Sequence, residues 1–143
     1  IVADGKVYFT SWDGNAYALD EKGNHIWKRK VDEQVSASLA LYKGKLYGGG
    51  MFDGPFFALD AAKGTLLRSF KTWGGFDASP VISGSVLYIG SFDDNFYAIN
   101  ADTFAVEWKR PMRAHVRATC AVADGTVFAA DMQGRLFAFA PAK

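Results

Sequence analysis

Short runs of alternating apolar and polar residues fill this chain, and no stretch sustains a capped helical period. One set of runs reads "KVYFTS" (6–11), "KLYGGG" (45–50), "VLYIGS" (86–91) and "TVFAAD" (126–131), each preceded by a glycine-containing turn. A second set, "DGNAYALD" (13–20), "DGPFFALD" (53–60), "DDNFYAIN" (93–100) and "QGRLFAFA" (133–140), places a tight turn before an aromatic-Ala-aliphatic strand. Another turn then leads into "HIWKRK" (25–30), "LLRSFK" (66–71) and "VEWKR" (106–110). The runs "SASLALY" (36–42), "ASPVIS" (78–83) and "ATCAVA" (118–123) open the next cycle, their small and aliphatic residues suited to a crowded strand. The pattern predicts an all-β chain with four strands per cycle.

The cycle has a fixed length. Ala18, Ala58, Ala98 and Ala138 are spaced by 40, 40 and 40, and Gly5, Gly44, Gly84 and Gly125 by 39, 40 and 41. Drift this small confines insertions to loops. Four strands repeated every ~40 residues make the blade of a β-propeller, in which each blade hides one face against the previous blade and one against the next. The expected repeats are 1–35, 36–77, 78–116 and 117–143, with four-stranded antiparallel blades and an incomplete fourth. The Asp-Gly pairs before the aromatic strands predict two-residue hairpins, because glycine adopts positive φ at little cost. Asp94 replaces that glycine in the third copy, and aspartate is among the few other residues tolerated there.

Composition narrows the function. Half of the 143 residues are hydrophobic and 15% aromatic, a globular and strand-favouring balance. A formal net charge of +1 gives no field to gather nucleic acid, and Lys28-Arg29-Lys30 and Lys109-Arg110 read as solvated strand faces. No apolar run approaches the ~20 residues of a membrane-spanning helix. Cys120, the single cysteine, sits among Ala, Thr and Val and is expected to be buried and inert. The chain begins without an initiator Met or signal peptide, so a mature chain or a fragment of a longer one is expected.

The segment "ALDEKGNHIW" (18–27) resembles the Ala-x-Asp-x-x-x-Gly-x-x-x-Trp tryptophan-docking motif of the PQQ-like (pyrroloquinoline quinone-type) β-propeller repeats, and "GSVLYIGSFDDNFYAIN" (84–100) is similar to the fuller repeat. The resemblance covers essentially the whole chain but degrades unevenly. Asp20, Gly23 and Trp27 match in the first copy, whereas Arg68 stands where the second tryptophan would fall. The third copy has Asn100 and Trp108, with Thr103 near the glycine position. The resemblance implies that Trp27 and Trp108 lock neighbouring blades, the indole N–H finding a backbone acceptor. It also implies a ring of seven or eight blades, of which this chain supplies about half. The remaining blades would come from the chain's own missing half or from a second copy, and a lone arc is expected to be unstable or self-associated. A periplasmic, extracellular or cell-envelope location follows from the resemblance alone. The Asp-Gly turns are not expected to hold calcium, since their carboxylates sit one blade apart.

Candidate site residues lie where the copies disagree. In propellers the connections from the outermost strand to the next innermost strand often build the mouth of the central channel; here they are 31–37, 72–78 and 111–118. They carry Gln34, Gly75 and His115 at one matched place and Ser36, Asp77 and Arg117 at another, while "KTWGGFDASP" (71–80) adds Trp73 and Phe76 as exposed aromatic candidates. The preferred reading is a non-catalytic binding or scaffold module for protein or ligand partners, with no cofactor. A second is part of a quinoprotein dehydrogenase using PQQ with calcium, with Asp77 as general base and His115 and Arg117 meeting an anionic cofactor. Against it, these connections hold no Glu or Asn to help ligate calcium apart from Glu33, which precedes the matched places, and an adjacent-cysteine pair is absent. A third is a carbohydrate binder using Trp73 and Phe76. His25 and His115 have no metal-ligand spacing, and neither a phosphate loop nor a nucleophile elbow occurs.

Overall fold

The computed structural model describes residues 1–140. They form four antiparallel sheets and, among the described residues, no helix. The first sheet holds β1 (Val2–Ala3), β2 (Lys6–Thr10), β3 (Asn15–Asp20) and β4 (His25–Lys30) in sequential order. The second holds β5 (Ala40–Tyr42), β6 (Lys45–Gly49), β7 (Pro55–Asp60) and β8 (Leu66–Lys71). The third holds β9 (Val81–Ser83), β10 (Val86–Gly90), β11 (Asn95–Asn100) and β12 (Val106–Pro111). The fourth has three strands, β13 (Ala121–Ala123), β14 (Thr126–Ala130) and β15 (Leu136–Phe139). Each sheet is one blade.

Three separate apolar cores lie in the three seams between blades. Tyr8, Ala16 and Ala18 of the first blade meet Leu46, Phe57 and Leu59 of the second. Tyr47 and Phe56 of the second meet Leu87, Tyr97 and Ile99 of the third. Phe96 of the third meets Val127 and Ala129 of the fourth. The repeated Ala18, Ala58 and Ala98 are buried in mid-strand, opposite Trp27, Arg68 and Trp108 of the outermost strands. A methyl group leaves room there for a large side chain. At the first seam that side chain is Trp27, whose Nε1 donates to the Ala61 carbonyl of the next blade at 3.0 Å. Gly64 lies so close beneath the indole that a Cβ would come within 2.6 Å of the ring. For Trp108 the position repeating Ala61 is Pro141, outside the described residues.

Two turn classes differ from expectation. The two-residue hairpins join the first and second strands of each blade. Asp4-Gly5, Lys43-Gly44 and Asp124-Gly125 have positive φ at both residues, as a type I′ turn requires. Between the second and third strands the loop is three residues long in three copies, closed by Ser11, Ser91 and Asp131 N–H groups donating to the Asn15, Asn95 and Arg135 carbonyls. Gly14, Asp94 and Gly134 supply its left-handed residue. The second copy widens further, with Gly50 N–H donating to the Pro55 carbonyl. In the first three blades the Asp or Asn ending the third strand caps the following turn, Asp20 accepting from Lys22 N–H (2.9 Å) and Asn24 N–H (2.8 Å). Asp60 and Asn100 repeat that role with the backbone N–H groups of 62–63 and 102–103.

The innermost strands are shorter than the sequence suggests, three residues rather than six or seven. Their leading residues bond sideways instead: Thr10 Oγ1 donates to the Ala37 carbonyl, and Ser38 N–H to Ser79 Oγ at 2.9 Å. Cys120 is buried, with its Sγ 4.0 Å from the Tyr88 carbonyl. Burial pushes its thiol up to about 11. Its proton is therefore held more tightly in the folded chain, and the stability this contributes is complete below about pH 9 and lost as pH rises towards about 11. Urea titrations across that window are expected to show a falling midpoint, flattened in Cys120→Ala. An unchanged slope in the variant would assign the loss to other groups.

Candidate functional site

Because adjacent strands run antiparallel, the outer-to-inner connections share one face of the arc with the turns between second and third strands. Backbone hydrogen bonds fasten the two together: Met51 N–H to the Gln34 carbonyl (3.0 Å), Phe92 N–H to Gly75 (3.1 Å) and Met132 N–H to His115 (2.9 Å). The same bond recurs in each copy and uses only the main chain. The bond itself asks nothing of the side chain, so the three residues differ, although Gly75 is fixed by its positive φ and by the Phe52 carbonyl, which a Cβ would meet at 2.0 Å.

The next residue in each connection is a plug. Val35, Phe76 and Val116 are each almost completely buried. This corrects the expectation that Phe76 is exposed: it is 0% exposed and packs 5.5 Å from Phe56, 5.8 Å from Phe70 and 6.0 Å from Tyr97, centroid to centroid. The apolar residue at the same place in all three copies was the signal for it. Trp73, by contrast, is 93% exposed.

The following position joins three connections in a line. Ser36 Oγ donates to Asp77 Oδ1, and Arg117 Nε lies 2.6 Å from Asp77 Oδ2. The Asp77 side chain is 3% exposed, whereas that of Arg117 is 60% exposed. Both carboxylate oxygens are thus committed, one to a hydroxyl and one to a guanidinium. His115 stands apart from this line. Its Nδ1 is 2.8 Å from Asp94 Oδ1, and its ring lies 5.2 Å from that of Phe92. Gln34 belongs to neither group in side-chain terms.

Sequence reasoning missed a second feature of this face. The three-residue turns present their first residue outward, so Trp12 is 57% and Met132 58% exposed, and Phe52 in the wider turn is 59% exposed. An apolar residue repeated where a turn normally carries polar ones was the available signal. Phe92 completes the row in the third blade, half-covered by His115. Beside Phe52, Trp73 borders a shallow cleft of about 340 Å³ with Asp53, Lys71 and Thr72.

These residues do not fit a calcium ion. A calcium site needs six or more converging oxygens. Asp77, the carboxylate best placed in the connections, already has both oxygens engaged, and among the described residues no three of His, Cys, Asp and Glu converge. No long apolar helix able to cross a membrane occurs among them either.

Four antiparallel sheets stacked blade against blade, with the Trp27 indole bonded to the next blade, define a β-propeller of the PQQ-like repeat type. The family model described as "Outer membrane protein assembly factor BamB" matches residues 54–143, and the chain belongs to that family. A quinohemoprotein alcohol dehydrogenase of Comamonas testosteroni is 33% identical over 97 residues, which are 59% of this chain and 14% of that protein. The crystal structure of BamB from Moraxella catarrhalis superposes with a TM-score of 0.82 at 23% identity, over 94% of this chain and 42% of the other. The computationally designed Ika4 protein superposes at 0.85 and 15% identity, over 99% of this chain and 88% of its own. The chain therefore spans less than half of the BamB chain and about a seventh of the dehydrogenase.

Proposed function

We propose that this chain is a non-catalytic binding module, and that the face carrying Trp12, Phe52, Trp73 and Met132 is its docking surface for a protein partner. The observation that carries this reading is the repetition of large exposed apolar side chains at one register of a rigid scaffold. Exposed aromatic clusters are costly to keep in water and serve as anchors in interfaces. Gln34, His115 and Arg117 then form the polar rim around that apolar row. Asp77, held between Ser36 and Arg117, positions the rim and is poorly suited to act as a general base. By its family, a cell-envelope location suits this role.

Interior seams also point to closure of the arc. Ala16, Phe56 and Phe96 are buried against the following blade, while Leu136, at the same register of the fourth blade, is 72% exposed. We propose that further blades, from its own polypeptide or from a second copy, cover this face; the BamB chain, more than twice the aligned length, has room for them.

Trp73→Ala and Trp12→Ala are expected to weaken partner capture at least about tenfold each while leaving the urea midpoint unchanged. Surface plasmon resonance against a cross-linked partner, with unfolding curves in parallel, checks both. Equal binding by the double variant would refute the assignment of this face. A second reading rests on Trp73, Asp53, Lys71 and Thr72, an aromatic platform with polar neighbours suited to a sugar ring. Quenching of tryptophan fluorescence by glycans, abolished in Trp73→Ala, would favour it over the protein partner.

A further inference from the structure

The second seam lacks its tryptophan, and the structure shows what replaced it. Arg68 pairs with Ala58 at the register where Trp27 pairs with Ala18. Across the seam the glycine that should lie beneath the indole is Phe104, held at φ 65° where a side chain is strained. Its ring enters the seam from the opposite blade and stacks on Phe56 at 5.6 Å and 9°. The Tyr47 hydroxyl donates to the Ala101 carbonyl, which repeats the carbonyl that Trp27 uses at Ala61. Ring and hydrogen bond are both restored, but from other residues.

The exchange does not refill the seam. A cleft of about 340 Å³ remains, lined by Lys45, Tyr47, Leu67, Arg68, Thr103 and Phe104 among others. Its charges do not balance. The Asp102 carboxylate is taken by Lys43 at 3.0 Å, and Lys45 reaches only the Asp102 carbonyl at 3.3 Å. The Arg68 guanidinium donates only to the Leu67 carbonyl, at 3.4 Å. Two cations thus stand at the rim of a cleft walled by aromatic rings and a leucine, without a carboxylate partner among the described residues.

We propose that this cleft binds a small planar aromatic carboxylate. The ring enters the space that Phe104 leaves open, against Phe104 and Leu67, and the carboxylate meets Arg68, whose planar fork matches it, with Lys45 adding charge. The volume lies at the low end of small-molecule sites, about 300–1,000 Å³, so one ring system with its acid group is the size accommodated.

Indole-3-acetate is the probe, with neutral indole and acetate as its two halves, followed by NMR chemical-shift titration of the full chain. Indole-3-acetate is expected to shift the resonances of Tyr47, Phe104 and Thr103 and to bind about tenfold more tightly than either half. Arg68→Gln should weaken indole-3-acetate about tenfold and leave indole unchanged. Thermal unfolding of the variant confirms that the fold is retained. Shifts confined to the Trp12–Trp73 face, no shifts at millimolar probe, or full affinity in folded Arg68→Gln would each overturn the proposal.

Discussion

Replacing Phe104 by glycine is expected to destabilise the chain by about 2–3 kcal/mol, and adding Arg68→Trp is expected to return most of that loss. Truncating a large aromatic in a core costs about 3–5 kcal/mol, and the lower figure applies because Phe104 is only partly buried. Relief of its positive φ offsets about 1 kcal/mol. The glycine variant recreates the floor on which Trp27 sits at the first seam, so an indole at 68 finds the space that Gly64 gives its counterpart. The two sites should therefore be strongly coupled, with a coupling of at least about 1.5 kcal/mol in a double-mutant cycle measured by urea unfolding. Additive effects would show that the two residues do not share one slot.

Arg117→Ala should cost more than Asp77→Asn, although both break the same ion pair. Removing the arginine strands a carboxylate that is 3% exposed, with Ser36 its one remaining donor. Breaking a buried pair in that way costs about 3–5 kcal/mol, reduced here to about 2 because the guanidinium is mostly solvated. Asp77→Asn keeps the shape and the hydroxyl contact, removes the buried charge and returns Arg117 to water, at a cost of about 1 kcal/mol or less. The double variant should approach Asp77→Asn in stability. Chemical unfolding of the three variants checks this order, and the reverse order would mean that the carboxylate is not the buried partner.

Much of the fold was legible because packing repeats. Ala18, Ala58 and Ala98 recur at constant spacing since each lies under a large side chain, and the capping Asp20, Asp60 and Asn100 recur since each must close a turn. What escaped was compensation between copies. Arg68 read as a lapse in the motif because its partner, Phe104, lies in another repeat, and nothing local in "NADTFAVEW" announces a left-handed phenylalanine. Turn length escaped too, since Asp-Gly serves a two-residue hairpin and the end of a three-residue loop equally well. In the candidate site, the positions 34, 75 and 115 and 36, 77 and 117 were picked out by their variability. Their separation into a Ser36–Asp77–Arg117 line and a distinct His115–Asp94 pair depends on which connection faces which blade, a property of stacking alone.

The three cores of the arc share no buried residue: each belongs to one seam. Cooperativity in such a molecule passes only between neighbours, as along a row of coupled units. A lesion in the middle seam, at Phe104 for example, would divide the row into two pairs of blades that remain intact within themselves. Amide exchange would report this as two protected islands rather than uniform loosening, and the Trp27 dock would stay closed while the second seam opened.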